Sequence, residues 1–77
     1  MRSDDFENAL DTLIQRLIEL RKSSGISHEQ LVKLSGVSRT AISYIEARKS
    51  TPSIINLMKI CDALDVKLSD LLKEVKK

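Results

Sequence analysis

Apolar residues recur at spacings of three and four from the start of the chain: Phe6, Leu10, Leu13, Leu17 and Leu20, with Ala9, Ile14 and Ile18 widening the stripe. A stripe of that period is one face of a helix turned inward, so the spacing predicts a long first helix. Asp4 or Asp5 is placed to cap its start. Acids at Glu7 and Asp11 suit the positive end of the helix dipole and Arg21-Lys22 the negative end, before Ser23-Ser24-Gly25 stops the helix.

Ser27-His28-Glu29-Gln30 has the form of a capping box, in which Ser27 caps and Gln30 reaches back to the Ser27 amide. A second helix therefore starts here and runs to about Ser35, where Gly36 is the residue best suited to the positive φ of a sharp turn. Ser38 offers another cap, and Arg39 to about Ala47 forms a third helix with Ile42 and Ile45 facing inward. Arg48-Lys49-Ser50-Thr51-Pro52 is a polar connector, and its proline pushes the preceding residue away from helical geometry. Ser53 caps a fourth helix whose apolar face is traced by Ile54, Leu57, Met58, Cys61 and Leu64. After a break at Asp65-Val66-Lys67-Leu68, Ser69 is expected to cap a fifth helix carrying Leu71, Leu72 and Val75. No strand-like alternation competes, so the fold class is all-α: five helices around one core, with residues 1–77 expected to make a single domain.

Composition narrows the chemistry. Seventy-seven residues support one core, with no room for an appended effector domain. Phe6 and Tyr44 are the only aromatics, which leaves little from which to build a base-stacking platform for single-stranded nucleic acid. Net charge is +2, unevenly spread. Residues 1–20 carry two bases against five acids, a net of −3; residues 21–52 carry six against two, a net of +4; residues 53–77 carry five against four, a net of +1. A basic middle third is either the footprint of a polyanion binder or an ordinary solvated face.

Cys61 is the only cysteine and His28 the only histidine, which cannot supply a three- or four-ligand metal site. Cys61, on the apolar stripe, reads as a small hydrophobe. No cofactor is implied, and no nucleophile-base pair, paired catalytic carboxylates or phosphate-cradling glycine loop is present, so an enzyme is not expected. No apolar run approaches the roughly 18 residues that span a bilayer, and Met1-Arg2-Ser3 leads into acids rather than a signal core; the expected compartment is the cytoplasm.

A short helix, a turn opened by glycine, and a second helix with a polar outer face make up a helix-turn-helix, here about residues 28–48. Leu31, Val32, Val37, Ile42 and Ile45 would hold the two helices at a fixed angle, and Arg39, Thr40, Ser43 and Tyr44 form the side that faces a major groove. The run SHEQLVKLSGVSRTAISYIEARKSTPSIINLMKICDALDVKLSDLL resembles the phage-repressor and Cro-like family, often called Xre-like, and the resemblance covers roughly residues 13–72. It implies a five-helix, lambda-repressor-like DNA-binding domain, here with an extended N-terminal helix. It also implies base contacts from Arg39, Thr40, Ser43 and Tyr44, and phosphate contacts from His28, Gln30, Ser38, Arg48, Lys49 and Ser50. A structural ion pair between Arg21 and Glu46 is implied by the same resemblance.

The chain departs from the family pattern in four places. Arg48 and Asp65 stand where glycine is common, Val32 where alanine is usual, and residues 4–12 lengthen the first helix by about two turns. Phe6 and Leu10 on that extension need a cover, either this core or another subunit. Tyr44 either reads bases or folds under its helix, and His28 is a phosphate ligand or a surface residue.

The function expected is a sequence-specific regulator of transcription, a repressor or autoregulator, that binds a two-fold symmetric double-stranded DNA operator as a homodimer. The dimer surface is placed at Ile55, Leu64, Val66 and Leu68, with the N-terminal extension as rival. The competing expectation is a protein-interaction module, such as an antitoxin or phage accessory protein, working through Phe6, Leu10 and Ile55.

Overall fold

The computed structural model describes residues 3–75, with side chains placed for 5–74. Five helices follow in order: α1 Ser3–Ser23, α2 His28–Ser35, α3 Arg39–Glu46, α4 Ile54–Ala63 and α5 Leu68–Val75. There is no strand among the described residues. The Asp4 carboxylate, the Val75 side chain and residues 1–2 and 76–77 lie outside them.

The 21 residues of α1 set the long dimension of a 37 × 23 × 20 Å body. From α1, Leu13, Ile14 and Leu17 enter the core, where they meet Leu31 of α2, Ile42 and Ile45 of α3, Leu57, Ile60 and Cys61 of α4, and Leu71 of α5. α1 lies against α5 and α3, while α2 sits between α3 and α4. Leu10 is partly buried against this core, so the core covers it; Phe6 stays 59% exposed.

Serine caps begin the three middle helices, each accepting a hydrogen bond from a backbone amide three residues on: Ser27 from Gln30, Ser38 from Ala41 and Ser53 from Asn56. Three helices end alike. The amides of Ile26, Lys49 and Val66 bond back to the carbonyls of Arg21, Tyr44 and Cys61, and those of Gly25, Arg48 and Asp65 to the carbonyls of Lys22, Ile45 and Asp62. This is the Schellman arrangement, which places Gly25, Arg48 and Asp65 in the left-handed region at φ 71, 61 and 58.

Three sequence expectations need correction. Asp4 and Asp5 lie inside the first turn of α1, not ahead of it, because the helix already runs from Ser3. Ser69 does not cap α5; the amides of Asp70 and Leu71 bond to the Lys67 carbonyl, so the helix begins at Leu68. On α4 the buried stripe is Leu57, Ile60, Cys61 and Leu64, while Ile54 and Met58 are 60% and 57% exposed. The helix is rotated so that the residues at i, i+3, i+4 and i+7 meet α2 and α5.

Candidate nucleic-acid interface

Three residues join α2 to α3. Gly36 takes φ 77 and its amide bonds to the Val32 carbonyl at 2.8 Å, ending α2 in a left-handed turn that an L side chain enters only with strain. Val37 then turns inward, 3% exposed, and Ser38 caps α3. Because Ile42 and Ile45 are almost fully buried, the roll of α3 about its axis is fixed. That roll leaves Arg39, Thr40 and Tyr44 exposed and Ser43 half-buried on the outer side. Tyr44, 49% exposed, does not fold under the helix.

The polar residues around this face are already engaged with one another. An Arg39 Nη1 lies 3.8 Å from Glu29 Oε2, with both side chains largely exposed. Such a pair contributes little in water and is readily exchanged for another acceptor. The Lys49 ammonium sits 5.8 Å from the centroid of the Tyr44 ring, a cation-π placement that draws the connector along the end of α3. Gln30 Oε1 accepts from the Ser27 amide at 2.9 Å, and Ser38 Oγ from the Ala41 amide at 3.1 Å, so both of these candidate phosphate residues also serve as caps. Ser50 is exposed and its amide reaches the Tyr44 carbonyl at 3.4 Å.

Glu46 forms a node beneath the interface. Its carboxylate accepts from Arg21 Nε at 2.8 Å and from Arg21 Nη2 at 3.1 Å, and lies 2.9 Å from His28 Nε2. A further Arg21 nitrogen donates to the Ile26 carbonyl at 2.8 Å. Burial alone would raise the Glu46 carboxyl above its ordinary 4.5, but the hydrogen bonds from Arg21 and His28 and their charges outweigh it and hold the group lower. The node ties α1, α2 and α3 together. It also turns the His28 ring toward Glu46, leaving only Nδ1 for any contact with DNA.

Arg48 is directed away from the polar face of α3, toward α1. Its Nε donates to Asp11 Oδ1 at 2.6 Å and its Nη1 to the Glu46 carbonyl at 2.7 Å, while Nη2 reaches the Asp11 carbonyl and Gln15 Oε1 at 3.3 and 3.4 Å. Neither Asp11 nor Gln15 was among the sequence candidates. They lie 37 and 33 residues from Arg48, so no local spacing signals the contact. Glu29, the partner of Arg39, was not among those candidates either, although its place two turns before the glycine is visible in the sequence.

Of the residues assigned to a dimer surface, Leu64 is 9% exposed and belongs to the core, because it closes the buried stripe of α4. Ile55 is 61% exposed, and Val66 and Leu68 are half-buried. With Met58 they line an open, largely apolar groove of about 620 Å³ between α4 and α5. Among the described residues no cluster of His, Cys, Asp and Glu could hold a metal ion, and no helix is long and apolar enough to cross a membrane.

Residues 17–71 match the helix-turn-helix family. The chain is 36% identical over 63 residues to the HTH-type transcriptional regulator PuuR of Escherichia coli, a match covering 82% of this chain and 34% of PuuR. It is 36% identical over 50 residues to repressor protein C of Escherichia phage P2, covering 65% of this chain and 50% of the repressor. It thus spans about a third of PuuR and half of the phage repressor. Among solved structures, the restriction-modification controller protein C.AhdI of Aeromonas hydrophila superposes with a TM-score of 0.73 at 37% identity, over 80% of this chain and 94% of the controller. A family match over most of the five helices and relatives that are transcriptional regulators, not enzymes, place this chain in the Xre-like, Cro-like family of helix-turn-helix regulators.

Proposed function

We propose that the protein is a cytoplasmic, sequence-specific regulator of transcription, a repressor or autoregulator, that binds a two-fold symmetric operator as a homodimer with α3 in the major groove. The observation that carries this reading is the split of α3. Ile42 and Ile45 are locked into the core, and the opposite side presents Arg39, Thr40, Ser43 and Tyr44. Arg39 at the helix start exchanges Glu29 for a base edge, and guanine, which offers two acceptors, is its preferred base. Lys49, Ser50, Ser38 and the start of α2 at His28 and Gln30 serve the phosphates, fixing register without reading sequence. A dimer supports this reading because one eight-residue helix reaches few base edges, each worth about 1–3 kcal/mol of discrimination. The groove lined by Ile55, Met58, Val66 and Leu68 offers an apolar surface for a second copy. Half-sites would then lie about 34 Å apart.

The test is fluorescence anisotropy on a randomised-site duplex pool across a salt series. Arg39→Ala is expected to weaken operator binding by about 1–3 kcal/mol for each half-site and relax one base position in each. Lys49→Ala should weaken all sequences alike and flatten the salt slope by about 1.8, about 0.9 for each subunit of the dimer. Equal affinity of the wild type for every duplex would rule out direct readout. A second reading, a protein-interaction module, is favoured by the exposure of Phe6 and Ile55. It predicts a co-purifying partner and no duplex binding even at low salt.

A further inference from the structure

Two departures from the family pattern, the lengthened α1 and the arginine in place of glycine after α3, meet at one point in space. Asp11, on the extension, receives the guanidinium of Arg48. Such a partner offsets a backbone cost at Arg48. The residue occupies a left-handed position at φ 61, which costs an L residue of this size free energy that glycine would not lose. A guanidinium has five N–H donors, and the acceptors on Asp11, Gln15 and the Glu46 carbonyl take all but one of them. A DNA phosphate at Arg48 would have to displace them. It would also have to enter a cleft that Glu7 lines together with Asp11, where two carboxylates repel it.

The next residue along the connector is Lys49. Its amide bonds to the Tyr44 carbonyl at 2.8 Å and its ammonium lies 5.8 Å from the centroid of the Tyr44 ring. We propose that Arg48 is a positioning residue for DNA binding and not a phosphate ligand: the strut from Asp11 and Gln15 to Arg48 holds the connector so that Lys49 and Ser50 meet the DNA backbone. This rests on the reading of the connector as a phosphate-contacting segment, and it gives the extended start of α1 a task in DNA binding.

The experiment measures affinity of the full chain for its selected duplex across a salt series, at a temperature where circular dichroism shows every variant folded. A merely structural role would then leave affinity untouched. Arg48→Gly, which suits the turn but removes the strut, and Asp11→Asn are each expected to weaken binding about five-fold, the cost of ordering a connector no longer held in place; once bound, Lys49 still meets its phosphate, so the salt slope is unchanged. The double variant should be no weaker than either single one, since both remove the same contact. Exchanging the partners, Asp11→Arg with Arg48→Asp, should recover affinity. The proposal is overturned if Arg48→Gly flattens the slope by about 1.8, the mark of one lost phosphate contact in each subunit of the dimer, or if Asp11→Asn leaves binding unchanged or tightens it. If the wild type binds no duplex at any salt, the DNA reading itself fails, and Lys49→Ala, which acts on phosphates alone, will show no effect either.

Discussion

The two ends of α3 are built by different means. At its start, everything is local: Gly36 supplies the left-handed turn, Val37 is drawn into the core, and Ser38 caps the helix through an amide three residues ahead. At its end, the same backbone conformation falls to Arg48, whose guanidinium is held by residues of α1 more than thirty positions away. Glu46, the last residue of the helix, is likewise satisfied by Arg21 and His28 from two other helices. The leading end of α3 is thus encoded in its own segment, and the trailing end in the tertiary structure. Damage at the first should stay local, and damage at the second should spread.

The largest effect is expected at the Glu46 node. Glu46→Ala leaves the Arg21 guanidinium, 11% exposed, without its carboxylate, and removing one partner of a partly buried, charge-assisted pair costs about 2–3 kcal/mol; urea unfolding measures it. Glu46→Gln reads the charge alone. Because the folded-state pKa of Glu46 lies below its ordinary 4.5, the stability contributed by ionised Glu46 is fully present above pH 4.5 and is lost as pH falls through the lower folded value. The gap between wild type and Glu46→Gln should therefore be widest near neutral pH and close on acidification below 4.5. A gap that widens on acidification would reverse the sign assigned to this node.

Gly36→Ala comes next. A β-carbon at Gly36 would meet no atom within 4 Å, so the cost is confined to the left-handed φ, about 1–2 kcal/mol, with no contribution from crowding. A larger loss, by urea unfolding, would show that the leading end also depends on its neighbours.

This contrast explains what could be read from the sequence. The serine caps, the glycine turn and the period of the apolar residues act within a few positions of one another, and so the five helices and the polar side of α3 were legible. The Arg21–Glu46 pair was reached only through the family resemblance. The partners of Arg48 and the outward turn of Ile54 and Met58 depend on how α1 and α4 roll against other helices. Segment periodicity does not carry that information, since an apolar run such as Ile54-Ile55-Asn56-Leu57-Met58 is compatible with more than one roll.

The smallest effect separates backbone strain from the strut. Asp65 and Arg48 hold equivalent left-handed positions in two Schellman turns, at φ 58 and 61. Asp65→Gly relieves strain and should raise stability by about 0.5–1 kcal/mol, seen as a higher melting temperature. Arg48→Gly relieves the same strain but removes an ion pair whose side chains are 32% and 61% exposed, worth at most about 1 kcal/mol after solvent screening. The two terms nearly cancel, so its melting temperature should stay close to that of the wild type. Equal gains for the two variants would mean that Asp11 contributes nothing to the trailing end of α3, and that the two ends of this helix are alike after all.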